Sequence, residues 1–162
     1  MEDITAYHES GHAFTAMALG AIVHSLSIDP DWDDGPERYG DVEIEWQRGE
    51  YNRKEFFEKR VLVALGGPVA EMIYTGDPFH PAIVPEWKVD WENAWQNAAQ
   101  LQTSKQKRMT YLEQKSIELH RILSRTENWS ALAVIADHLL AHEILEREHL
   151  EDILSDWDGA MR

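Results

Sequence analysis

Residues His8, Glu9 and His12 follow the pattern H-E-x-x-H within the stretch Ala6-Tyr7-His8-Glu9-Ser10-Gly11-His12-Ala13. On a helix, positions i and i+4 share a face, so His8 and His12 can present two imidazole nitrogens to one metal ion with Glu9 beside it. Zn²⁺ suits such a pair, because it lowers the pKa of a coordinated water towards neutrality and a neighbouring carboxylate can pass that proton to a departing amine. The spacing therefore encodes metal-assisted hydrolysis. Two histidines do not complete a catalytic zinc site, which usually takes a third protein ligand and keeps one position open. Candidate third donors are Asp90, Glu71, Glu92 and His80. The competing reading of the same residues is a surface helix with two solvated histidines.

The elements that must position these residues can be read from periodicity. Asp3 or Thr5 can cap the first helix, the apolar run Ala13 to Leu19 continues it, and Gly20 is a natural stop. Gly11 lies inside that helix at a cost of about 1 kcal/mol relative to Ala, which is easier to explain if another backbone passes close by. Two strands follow. Ile22 to Ile28 alternates His24, Leu26 and Ile28 with Ser25 and Ser27, and Asp41 to Trp46 alternates so that Val42, Ile44 and Trp46 face the core. The acidic, Pro- and Gly-containing stretch Asp29 to Pro36 between them reads as a solvated loop, since it lacks EF-hand ligand spacing.

From Asn52 the period becomes helical, with a capping-box-like start at Asn52-Arg-Lys-Glu55. Gly66-Gly67-Pro68 predicts a break with a new helical segment at Pro68, and with Gly11 it also suggests two helices crossing at close range. Thr75 to Lys88, with three prolines, reads as extended loop. Helices are expected over Asp90 to Gln102, after a Ser104 cap, over Ser130 to Glu146 following a turn at Thr126, and over Glu148 to Trp157.

Composition bounds the function. A 162-residue chain without cysteine fits one domain, with no disulfide framework or thiolate metal site. A formal charge of −15 repels phosphate backbones and anionic lipid, which argues against nucleic acid as a partner. Without an apolar run of membrane-spanning length or a signal-peptide pattern, a cytoplasmic protein with no membrane insertion is expected. The seven tryptophans are read as packing residues.

Three stretches, in order, resemble one family. His8-Glu-Ser-Gly-His-Ala is similar to the H-E-A-G-H-A signature of the FtsH-type zinc proteases, Leu65 to Gly76 resembles their L-G-G-R-A-A-E-E helix, and Val89-Asp-Trp-Glu-Asn-Ala resembles their N-D-ϕ-x-x-A segment. Leu132 to Leu154 is more weakly similar to their closing helical stretch. The resemblance implies an α+β, mainly α-helical, zincin-like metallopeptidase domain with a small β-sheet and a C-terminal helical bundle, spanning residues 1–162. It also implies Zn²⁺ held by two His and an Asp, here His8, His12 and Asp90. Position agrees: Asp90 opens a predicted helix, whereas Glu92 lies about 200° further round it.

The family carries an ATP-driven unfoldase and a membrane anchor ahead of the protease, and with only a few residues before His8 this chain is expected to work without them. Two departures concern the substrate cleft: Pro85-Glu-Trp-Lys-Val replaces the S-T-G-A lead-in, and Gln102-Thr-Ser-Lys stands in place of a G-M-S-x-x-x-G stretch. The expected function is zinc-dependent, ATP-independent hydrolysis of unfolded or short polypeptides, with Glu9 as the catalytic base and the Val42 to Trp46 strand holding substrate. A homo-oligomer or a separate ATPase partner is compatible with this reading. The alternatives are a zinc-retaining but inactive binding or adaptor module and a structural subunit that docks through its acidic face. Glu71 is expected to hydrogen-bond the free N–H of a ligand histidine. His138 and His142, again i and i+4 and followed by Glu143, outline a second metal site, set against the plainer reading that one is partly exposed and the other caps polar neighbours.

Overall fold

The computed structural model describes residues 2–28, 41–76 and 85–157. Helix α1 (Glu2–Ala18) leads to strands β1 (Ile22–Ser27) and β2 (Asp41–Glu45), and the long helix α2 (Arg53–Thr75) follows. A 3₁₀ turn at Pro85–Trp87 runs into α3 (Lys88–Ala98), then come α4 (Lys105–Leu123), α5 (Thr126–His142), the short strand β3 (Ile144–Glu146) and α6 (Arg147–Ile153). The fold is thus α+β and mainly helical, with one antiparallel sheet in the order β2-β1-β3. Among the described residues no helix is long and apolar enough to cross a membrane.

Helix ends follow local chemistry. α1 begins at Glu2, so Asp3 and Thr5 lie inside it rather than capping it. Its other end is a Schellman turn, in which Gly20 adopts a left-handed φ of 93°, Gly20 N–H donates to Met17 and Ala21 N–H donates to Ala16. The Asn52 and Ser104 side chains cap α2 and α4 as expected. α5 starts four residues before Ser130, and its C-terminal end is cut short at Glu143, whose left-handed φ of 67° turns the chain into β3. The expected helix over Ser130 to Glu146 therefore ends in a strand, and α6 stops at Ile153.

The glycines of α2 do not break it. Helix α2 runs unbroken through Gly66, Gly67 and Pro68, all buried against neighbouring elements. The reason lies in α1, because a Cβ on Gly66 would stand 2.7 Å from the Gly11 carbonyl oxygen, and one on Gly11 would collide with the Gly66 carbonyl. Burial along this close crossing outweighs a propensity cost of about 1 kcal/mol per glycine and about 3 kcal/mol for proline.

The sheet also differs from simple alternation. Between Val23 and Ser25 the register with β2 slips, leaving His24 as an extra, exposed residue, so Val23 and Leu26 are the buried pair. Val42 and Ile44 are only half-buried because they border an open cleft. One hydrophobic cluster joins α1, α2, β1 and the later helices, with Trp46, Trp91, Trp95, Trp129 and Trp157 packed against it as expected of packing tryptophans. Helix α4 packs chiefly on α2 and α5 on α1 rather than on each other as a separate bundle, while α6 packs on β1, β3 and α5.

The crossing predicts a sign. If Gly11 faced solvent, Gly11→Ala would stabilise the helix by about 1 kcal/mol. In this packing it should instead destabilise the protein by about 1–3 kcal/mol or more, measured by urea unfolding of the metal-free chain, because the added methyl meets backbone rather than a movable side chain. An unchanged or raised urea midpoint would refute the close crossing.

Candidate metal centre

The crossing of α1 and α2 fixes the two histidines. His8 and His12 are both buried, and their rings lie over Gly67, where a Cβ would come within 2.7 Å of His8 Nε2 and collide with the His12 ring. Residues Val63, Gly67 and Glu71 form one stripe of α2 at four-residue spacing, so the same face supplies a hydrogen-bond acceptor, a space and a carboxylate.

Each ring is oriented by that stripe. His12 Nδ1–H donates to the Val63 carbonyl at 2.6 Å, which leaves a lone pair on Nε2. His8 Nδ1 faces Glu71 Oε1 at 3.6 Å, while the other Glu71 oxygen accepts the Trp87 indole N–H. Glu71 thus stands behind His8 with Trp87 steadying it, but at 3.6 Å the expected hydrogen bond to the histidine ring is not formed.

The third donor comes from the first turn of α3. Asp90 Oδ2 lies 2.8 Å from His8 Nε2, and its Oδ1 lies 3.2 Å from His12 Nε2. The two Nε2 atoms are themselves 3.2 Å apart. A tetrahedral zinc ion with bonds of about 2.1 Å holds its ligands about 3.4 Å apart, so the donor set fits that ion by chemistry and by spacing. His8, His12 and Asp90 are brought together as read from the sequence. Glu92 is exposed on a separate groove with Trp91, Trp95 and Met109, and His80 lies outside the described residues, as does the acidic loop at 29–36.

Charge is shared unevenly within this cluster. Burial alone would raise Asp90, but the His12 and His8 rings outweigh it and hold the carboxyl well below the usual carboxylate range. Burial also opposes a charge on His12, yet the Asp90 carboxylate raises that imidazole above its ordinary value. Glu9 goes the other way: burial pushes its carboxyl up, and the two histidines only partly oppose it. Two carboxyl groups a short distance apart are thereby tuned in opposite directions.

Glu9, His12 and Asp90 open onto a cleft of about 570 Å³, bordered on one side by Asp41, Val42, Ile44 and Trp46 of the β2 region and on another by Asn93 and Asn97 of α3. Arg60 of α2 also lines it. The sequence reading missed Arg60, Asn93 and Asn97. The asparagines were detectable, because they follow Asp90 at helical spacings of three and seven; Arg60 gave no comparable signal. Trp87 and Val63 were also missed, one hidden in an expected loop and the other acting through its backbone.

Comparison with protein-family models gives no match to this chain, and comparison with curated proteins gives none either.

Ligand assignment can be checked by metal analysis after dialysis against Zn²⁺. Asp90→Ala and Gly67→Ala should each lower the zinc bound at this centre while far-UV circular dichroism stays unchanged, whereas Glu92→Ala should match wild type. Zinc retained in Asp90→Ala but lost in Glu71→Ala would move the third ligand to Glu71.

Proposed function

We propose that the chain is a zinc-dependent peptidase, a zincin-like domain resembling the FtsH-type proteases, that hydrolyses unfolded or short polypeptides without ATP. The observation that carries this reading is the orientation of the histidines: both direct Nε2 towards Asp90, while their Nδ1 atoms face the Val63 carbonyl and the Glu71 carboxylate. Such a set leaves Nε2, Nε2 and a carboxylate oxygen to hold the ion. When bound, Zn²⁺ supplies Lewis-acid polarisation of a peptide carbonyl and lowers the pKa of water.

The chain's own residues account for the rest. Glu9 adjoins His8 in sequence, faces the cleft and is buried, so its carboxylate can take a proton from water and deliver it to the departing amide nitrogen. Burial pushes the Glu9 carboxyl above its ordinary value, the direction that strengthens a carboxylate as a proton acceptor. Asp90, held strongly anionic, is suited to coordination rather than proton carriage.

Substrate geometry follows from the sheet. Strand β2 pairs with β1 along one edge, and among the described residues its other edge has no strand partner. Because β2 residues border the cleft, an extended peptide laid along that edge by backbone hydrogen bonds would pass beside Glu9 and Asp90. Asn93, Asn97 and Arg60 provide further polar groups in the lining. An extended backbone is a condition a folded domain does not meet, which restricts the substrate to unfolded or short chains. No phosphate-cradling glycine loop occurs in the sequence to couple nucleotide hydrolysis to pulling.

Glu9→Gln should retain zinc but cleave unfolded polypeptide about 10²–10⁴-fold more slowly than wild type, in an assay containing no nucleotide. Cleavage by Glu9→Gln at the wild-type rate would remove Glu9 from the mechanism. Zinc-loaded wild type that cleaves nothing in a broad peptide library would instead establish a binding module.

A further inference from the structure

A second cluster of nitrogen donors lies outside the cleft. His138 and His142 share one face of α5, and the turn at Glu143 together with β3 brings α6 back so that His149 joins them. One ring nitrogen from each of the three lies within 4.8 Å of the others. His149 Nε2 and His138 Nδ1 are 3.1 Å apart, and the ring centroids stand 4.9, 5.4 and 6.1 Å from one another. His138 and His149 are half-buried, and His142 is exposed.

We infer that His138, His142 and His149 form a second metal site that takes a single divalent ion of the zinc type and pins α6 to α5. Three imidazoles suit Zn²⁺, Ni²⁺ and Cu²⁺ and suit Mg²⁺ or Ca²⁺ poorly, because the hard cations require oxygen. The nitrogen pair at 3.1 Å already has nearly the spacing of ligands on a tetrahedral zinc ion, about 3.4 Å, and the wider contacts close by small rotations of half-exposed rings. Exposure of His142 leaves one side of the ion open to water. The strongly acidic chain favours a divalent cation over an anion at its surface.

The local backbone is built to bring the three together. Glu143 is the one non-glycine residue with positive φ among the described residues, a conformation that L side chains rarely adopt. That turn ends α5 directly after His142, its N–H donates to Leu139 and its carbonyl accepts from Ile28 N–H. Leu145 of β3 and Leu150 of α6 are then fully buried, which holds His149 in place from both sides. An ion bridging His138 and His142 to His149 would clamp the short segment from β3 to α6, whose strand pairs with β1.

The experiment measures zinc stoichiometry and thermal unfolding on the full chain, using Zn²⁺ alone after dialysis against a weak chelator. Wild type should hold about two equivalents, and His149→Ala and His138→Ala about one each, with far-UV circular dichroism unchanged. A His8→Ala/His12→Ala variant should still hold about one equivalent and show a Zn²⁺-dependent rise in Tm, which disappears when His149→Ala is added. That background separates this site from the cleft, because it binds zinc here even if the peptidase reading fails. Should the double variant fail to fold, the comparison of wild type with His149→Ala and His138→Ala alone decides. Stoichiometry that is the same in wild type, His138→Ala and His149→Ala would overturn the second site, as would a folded His8→Ala/His12→Ala variant that binds no zinc.

Discussion

The close crossing of α1 on α2 is the constraint on which the rest of the structure depends. Gly11 and Gly66 bring the two backbones together, and helical geometry then determines what lies one turn away. On α1, His8 and His12 flank Gly11 by three residues and one, so both rings descend on α2 beside the crossing. On α2, Gly67 gives them room, Val63 four residues earlier offers a carbonyl, and Glu71 four residues later offers a carboxylate. A side chain at any of the three glycines would move the rings or separate the helices. The rule that interior glycine weakens a helix is obeyed here only as a cost, and the packing of the two helices offsets it.

Electrostatics separates the two carboxylates that line the same cleft. Burying ionisable groups is unfavourable unless each finds a partner. Asp90 is held anionic by two imidazoles within hydrogen-bonding range, so its burial is compensated directly. Glu9 is buried as deeply as the histidines, but its nearest compensation is weaker and its carboxyl shifts upward. The same burial therefore leaves the two carboxyl groups shifted in opposite directions, Asp90 downward and Glu9 upward.

Much of this was legible in the chain, for a stated reason in each case. H-E-x-x-H on a helix is a local pattern, and local patterns survive folding, so His8 and His12 could be assigned to one face with Glu9 beside them. Asp90 needed more, because it lies 82 positions from His8 and only its place at the start of a helix and its likeness to a family motif pointed to it. Gly11 with Gly66 and Gly67 correctly suggested a close helix crossing, yet the break expected at Pro68 did not occur, since propensity rules do not include a neighbouring helix that needs the glycines. Strand β3 was missed because three residues are too short for alternation to show, and its existence depends on pairing with β1. The bulge at His24 was missed for a related reason: register is a property of two strands.

That sheet gives the molecule a mechanical link the sequence did not show. β1 is the central strand, with β2 bordering the cleft on one side and β3, the strand between His142 and His149, on the other. Leu26 pairs with Val42 in one direction and with Leu145 in the other, so one buried residue of β1 touches both neighbours in register. A three-residue strand held by few hydrogen bonds opens easily on its own, and such elements lie at the low end of local stability. Ordering the segment from β3 to α6 would therefore stiffen the backing of β1 and, through it, the strand that faces Glu9 and Asp90. One shared strand, rather than any chain of charged groups, thus joins the segment from β3 to α6 to the strand that borders the cleft.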